Sequence, residues 1–250
     1  RFFGHFKLSS VEADDTAIPV VRLKFNKPFN WPLTFSGHLA QNHQWRFELS
    51  SDDAKHLAQK QTAFQYNQYR ISAKIPTVNV SARGVGRLCD LTYKLNVPAV
   101  RLTSESVNIF SPQLVLTGET NLNADPPLGE IAQFNLDGAG SVVTTPSGTV
   151  KLKRLSLDGR LQRDQQSNLS IAGRLEFADT RFEAKPANIV LHGAQGSIPF
   201  QFPAAILGQK GMISIKHTTL NQLDLGAVQA EVVQTASGLS FNGALKNPIL

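Results

Sequence analysis

The 250-residue chain holds one cysteine, one methionine, two tryptophans and three tyrosines. A single cysteine, Cys89, excludes an internal disulfide. Its neighbours Leu88 and Leu91 make it a small apolar filler rather than a nucleophile. Low cysteine usage fits the cytoplasm and also a periplasmic protein that does not rely on disulfides. No apolar run reaches the ~18 residues a membrane-crossing helix needs. Lys and Arg exceed Asp and Glu by six, yet the longest basic run is Lys151-Leu152-Lys153-Arg154. Nucleic-acid binding needs clustered positive charge, so the scattered bases read as solvated outer strand faces and no nucleic-acid partner is expected.

Catalytic constellations are missing as well. His5, His38, His43, His56, His192 and His217 show no metal-ligand spacing. His38 and His43 are expected on opposite sides of one extended strand. There is no nucleophile elbow, phosphate-cradling glycine loop or HExxH. Asp14-Asp15 and Asp52-Asp53 are adjacent pairs that point apart along a strand, not two carboxyls flanking a cleft. The expectation is a protein with no catalytic residue, no metal site and no cofactor, and hence not an enzyme.

What the chain does have is phenylalanine, fifteen of them, within a composition 41% hydrophobic and 18% charged. That balance excludes disorder, and Phe without Tyr or Trp suits a dry surface better than a sugar platform. Period-2 alternation dominates. Leu169, Ile171, Gly173, Leu175 and Phe177 alternate with Asn168, Ser170, Ala172, Arg174 and Glu176. An apolar–x–Gly unit recurs at Phe35-Ser36-Gly37, Leu157-Asp158-Gly159, Ile171-Ala172-Gly173 and Phe241-Asn242-Gly243, with echoes at Leu116, Leu136 and Leu191. The spacing suggests one unit per β-hairpin, with the glycine leaving a gap where the sheet bends or bulges.

These signals predict an all-β, mostly antiparallel fold of about twenty short strands. Residues 51–60 alone carry the N-cap candidates, early acids and late bases of a short helix. Asp125-Pro126-Pro127-Leu128-Gly129 is the best candidate for a joint within a single elongated segment spanning 1–250. Three architectures fit the alternation: a closed sandwich or barrel, a parallel β-helix, and an open, curved, taco-like groove with an apolar interior. The unequal repeat steps argue against the β-helix. Opening at Arg1-Phe2-Phe3 without methionine, the chain is expected to be a piece of a larger protein.

The strings Leu155-Ser156-Leu157-Asp158-Gly159-Arg160-Leu161, Asn168-Leu169-Ser170-Ile171-Ala172-Gly173-Arg174-Leu175 and Gly238-Leu239-Ser240-Phe241-Asn242-Gly243-Ala244-Leu245 resemble the strand grammar of the AsmA-like (TamB-like) proteins of Gram-negative envelopes. Within that group they are most similar to the YdbH-type proteins, over about 110–250. The resemblance implies a periplasmic bridge carrying phospholipid between inner and outer membranes. It also implies an inner-membrane anchor outside this chain and a small outer-membrane lipoprotein as partner. The expected lining for acyl chains is Leu116, Leu157, Leu169, Ile171, Leu175, Phe177, Ile189, Leu191, Ile213, Ile215, Leu239 and Phe241. The competing expectation is a closed β-sandwich serving as a structural or adhesive module.

Overall fold

The computed structural model describes residues 2–15, 18–40, 42–51, 61–66, 68–86, 88–122, 129–166, 168–203, 209–235 and 238–246. They form fifteen strands: β1 (Phe2–Asp15), β2 (Ile18–Leu39), β3 (Gln44–Ser50), β4 (Gln61–Tyr66), β5 (Tyr69–Lys74), β6 (Thr77–Val85), β7 (Leu88–Thr103), β8 (Asn108–Leu122), β9 (Gly129–Thr145), β10 (Gly148–Arg163), β11 (Leu169–Ala184), β12 (Ile189–Phe202), β13 (Lys210–Leu220), β14 (Leu223–Thr235) and β15 (Gly238–Lys246). All belong to one antiparallel sheet.

Its topology is simpler than fifteen strands suggest. Arg70 pairs with Thr103 and Thr77 with Asn96, one unbroken register along β7, so β5 and β6 are halves of a single strand. On their far side β4 pairs with β5 and β3 with β6, end to end in the same way. Counting each split strand once leaves thirteen rungs, each bonded to the next in the chain. This is a plain meander whose edges are β1 and β15.

Short loops enforce the antiparallel order. Pro146-Ser147 joins β9 to β10, and Asn221-Gln222, with φ of 49° and 72°, joins β13 to β14. Two successive positive φ values give a turn twisted to match the strands. The strands are longer and fewer than the expected twenty. Pro98, Pro112, Gly140 and Pro199 lie inside β7, β8, β9 and β12. The expected helix at 51–60 falls mostly on residues 52–60, outside the described residues. So does most of the expected joint, at 125–128; Leu116 of β8 pairs with Leu136 of β9 on either side of it.

The sheet is a single open layer. Solvent-accessible surface is 16448 Å², against about 10,900 Å² for a compact monomer of this mass. Among the described residues only Leu33, Ala73, Ile75, Ala82, Ile131, Ala194 and Val232 form a buried apolar core. A second sheet packed on the first would seal far more than these. The closed-sandwich architecture is therefore not the one adopted.

Candidate functional site: a creased apolar face

Residues paired across strands share a face, so the register sorts the sheet into two surfaces. One row reads Val78, Leu95, Leu116, Leu136, Leu157, Leu175, Ile198 across seven strands. The neighbouring row on that face reads Leu49, Val80, Tyr93, Gly118, Phe134, Gly159, Gly173, Phe200. Between them, on the opposite face, runs Asn79, Lys94, Thr117, Asn135, Asp158, Arg174, Pro199. There Asn135 donates to Asp158 at 2.6 Å and Arg174 to Ser197 Oγ at 2.7 Å. One face is hydrocarbon and the other is amide, hydroxyl and charge.

Of the repeated glycines, Gly193 stands at φ 63° where the ladder bulges, whereas the gaps at Gly118 and Gly159 are filled by rings. A Cβ at Gly159 would overlap the ring of Phe134, and one at Gly118 the ring of Tyr93. At Gly84 it would come within 2.8 Å of Trp45, and at Gly196 within 2.7 Å of Phe177. Gly118 and Gly159 of the repeat, and Gly84 and Gly196 outside it, each seat an aromatic ring of the adjacent strand, the pairing that shields a bare strand backbone; a Cβ at Gly173 would instead meet the backbone of β10. The repeat recurs once per strand rather than once per hairpin: Leu116, Leu136, Leu157, Ile171 and Leu191 fall on β8 to β12 in turn. Burial raises the Tyr93 phenol above its usual pKa, because its ring lies among these apolar neighbours.

A crease crosses the strands at a different level. Ala99, Gly140, Asp179, Gly193 and Gly226 have φ between 50° and 85°. They stand at one height across β7 to β14, beside Pro112, Lys153 and Lys216 on the strands between. At this height two consecutive residues per strand turn to the polar face, as Ala139-Gly140 and Lys153-Arg154 do, and all four are exposed. Lys153 bonds Asp179 across it at 3.3 Å. Side-chain parity therefore switches. Below the crease β11 turns Leu175 and Phe177 to the apolar face; above it Phe182 takes that role, level with Val150 and Leu191.

Two observations fix the geometry. The position a Cβ would take at Gly138, below the crease, lies 3.4 Å from Ser141 Oγ and 3.7 Å from Ser111 Oγ, above it. Both flanks thus belong to one apolar surface. The small residues beside the crease on that surface are buried: Ser111 is 3% exposed, Ser141 4% and Thr180 5%, with Ala194 and Thr218 also buried. Ser111 and Ser141 pair through their hydroxyls at 3.0 Å, whereas Thr180 Oγ1, Thr218 Oγ1 and Arg163 Nε are buried without a partner.

The register places Leu116, Leu157, Leu169, Ile171, Leu175, Phe177, Ile213, Ile215, Leu239 and Phe241 on the apolar face below the crease. Ile189 and Leu191 lie on the same face above it. All twelve share one surface, while Arg174 and Glu176 lie opposite. Leu239 and Phe241 are at the free edge, 46% and 58% exposed. Sequence reasoning missed the upper flank, where Leu102, Ile109, Val143, Val150 and Phe182 sit level with one another. Its signal is the change of parity within each strand.

Depressions lie on the polar face. One, of about 1040 Å³, is lined by Thr92, Glu119, Asn135, Asp158, Arg160 and Arg174 together with Phe134, Pro199 and Phe200. Among the described residues no three His, Cys, Asp or Glu side chains come together as a metal site. His38 and His43 are not on one strand: His38 is in β2, and His43, at φ 60°, is in the turn to β3. Cys89 is half-buried on the apolar face, paired with Gly84 and Leu122. No helix among the described residues is long and apolar enough to cross a membrane. Comparison of the chain with protein-family models, with curated proteins and with solved structures finds no match.

Proposed function

We propose that the protein is a segment of a hydrophobic conduit whose apolar face carries the acyl chains of phospholipids. In this reading it works in the periplasm, as part of a bridge between inner and outer membranes, and makes or breaks no covalent bond. The observation that carries the proposal is the continuity of the apolar face from β3 to β15, with no second layer over it among the described residues. Eleven strands at ~4.8 Å and fifteen residues at ~3.4 Å give a surface of about 50 by 50 Å. Ordinary monomers expose contiguous apolar patches of only a few hundred Å². Strand grammar similar to that of AsmA-like proteins supports the same reading, as well as an inner-membrane anchor and an outer-membrane lipoprotein at the far end.

Energetically such a face suits passage rather than capture. Each CH₂ moved from water gains roughly 0.8 kcal/mol, comparable to what it gains in a bilayer, so a lipid sliding along the face meets no deep well. Replacing Ile171 or Phe241 with Asp sets a carboxylate in that path. On an open face the charge can tilt to water, so the variants fold and lipid crosslinking drops. A conduit is excluded if both variants fold and crosslink lipid as the parent does. Unfolding of both would favour a sealed structural module instead.

A further inference from the structure

The two edges of the sheet are built differently. β1 carries Lys7, Glu12, Asp14 and Asp15, and its pairing with β2 shifts register between Leu8 and Ser10 and again between Ala13 and Asp15. Charges and bulges of this kind keep an edge from pairing with another chain. β15 has neither. It pairs with β14 over nine consecutive residues without a shift, has no proline, and carries one charged residue, Lys246, at its very end. Leu239 and Phe241 stand exposed on it.

The pairing of ring with glycine is left unmade on this strand. Trp45 stands directly opposite Gly84, Tyr93 opposite Gly118, Phe134 opposite Gly159 and Phe177 opposite Gly196. On β15 Gly243 faces Ala230 instead, and Phe241 faces Val232. The strand thus holds both halves of the pairing, a ring and a bare glycine two residues apart. Its backbone is in phase for a further strand. Thr235 and Gly238 pair with only two residues between them, so theirs is a hydrogen-bonded pair, and such pairs alternate along an antiparallel ladder. Ser240, Asn242 and Ala244 therefore turn their N–H and C=O groups to β14. Leu239, Phe241, Gly243 and Leu245 turn theirs outward, where no strand among the described residues meets them.

We infer that this edge pairs with the same edge of a second copy of the chain, antiparallel about a two-fold axis at Asn242. This register joins all nine residues of β15 to their counterparts. It sets Phe241 of each copy opposite Gly243 of the other, Leu239 opposite Leu245, and Ser240 opposite Ala244. Every outward-turned residue meets another, which gives about eight main-chain bonds. An axis one residue to either side sets Phe241 or Gly243 against itself and shortens the ladder. The two Lys246 residues fall at opposite ends, about 27 Å apart at ~3.4 Å per residue, so no like charges meet. An edge about 30 Å long and about 10 Å deep buries on the order of 600 Å² in all, the size of a weak complex. Main-chain bonds hold it, as they hold other strand additions, and association at micromolar concentrations is expected. Paired residues share a face, so the apolar surfaces of the two copies become one, whatever that surface carries.

Sedimentation of the whole chain over a micromolar concentration series should show monomer giving way to dimer and to nothing larger. Phe241→Lys should weaken the dimer about tenfold or more. Cysteine trapping in a Cys89→Ala background reads the register. Asn242→Cys should form a disulfide-linked dimer by itself, because opposed residues of a non-hydrogen-bonded pair lie ~4.5 Å apart at Cα, within disulfide reach. Ser240→Cys should not, yet it should crosslink to Ala244→Cys when the two are mixed. A monomer at every concentration leaves the edge to a strand of another protein and overturns the inference. So do open-ended polymers, in which β15 meets β1 of the next copy, and a dimer indifferent to Phe241→Lys, in which the apolar faces stack. Equal self-crosslinking of Ser240→Cys and Asn242→Cys refutes the register. Circular dichroism confirms that each variant is folded, and trapping at Asn242 decides the matter should Phe241→Lys not be.

Discussion

If aromatic rings seated on glycines hold neighbouring strands together, Gly159 and Phe134 are energetically coupled. Gly159 is buried in β10 and Phe134 half-buried opposite it in β9, and any Cβ at Gly159 would overlap the ring. Gly159→Ala forces the ring aside, an overpacking cost of about 1–3 kcal/mol. It also removes the entropic penalty of a mid-strand glycine, a gain of about 0.5–1 kcal/mol. The net expectation is a loss of roughly 1–2 kcal/mol, read from urea unfolding followed by circular dichroism. Phe134→Ala first empties the seat; in that background Gly159→Ala should stabilise, by about 0.5–1 kcal/mol. The sign reversal is the signature, with a coupling energy of about 1–3 kcal/mol. If Gly159→Ala stabilises the parent as much as it stabilises the Phe134 variant, the ring is not seated there and the account of the repeat is wrong.

At the crease, Gly140→Ala places a side chain at φ 67° and should cost about 1–2 kcal/mol, whereas Ala139→Ser one residue away should cost almost nothing; equal melting points for the two would remove the crease as a strained feature. Asp164 is held below its usual carboxylate pKa by the Asn168 side-chain amide, helped by the Asn168 and Gln166 backbone N–H groups, at 2.8–2.9 Å. A lowered folded-state value means its contribution is present above the ordinary carboxylate pKa of about 3.9 and is lost as pH falls through the folded value. Amide exchange at Gln166 and Asn168 should therefore accelerate below about pH 4, and Asp164→Ala should show the faster exchange at neutral pH.

Fold class was legible because alternation records which side of a sheet a residue faces. Leu169 to Phe177 gives one face directly, and the register carries it through Leu157, Leu136 and Leu116. The number of strands was not legible. Alternation broken by a parity switch looks like two strands, but at Ala99 and Gly140 φ turns positive within one strand and parity switches there. The sequence places Ile189 and Leu191 with the other lining residues; strict alternation from Ile198 would have put both on the polar face, and the switch at Gly193 keeps them with the rest. The glycine repeat was visible as a pattern but not as a mechanism. Its meaning lies in residues one strand away, since Phe134 is twenty-five positions from Gly159. The row of Arg101, Lys151 and Arg181 was hidden for the same reason, because antiparallel strands bring them level only once folded.

The central claim, that the apolar face and not the polar one takes acyl chains, can be measured with an environment-sensitive fluorophore on a single cysteine. With Cys89→Ala as background, Leu157→Cys puts the label on the apolar face and Arg160→Cys puts it on the polar face of the same strand. Titration with phosphatidylethanolamine–phosphatidylglycerol vesicles should shift the emission of the label at 157 to the blue and leave the label at 160 unchanged. No shift at 157, or equal shifts at both sites, would contradict the account.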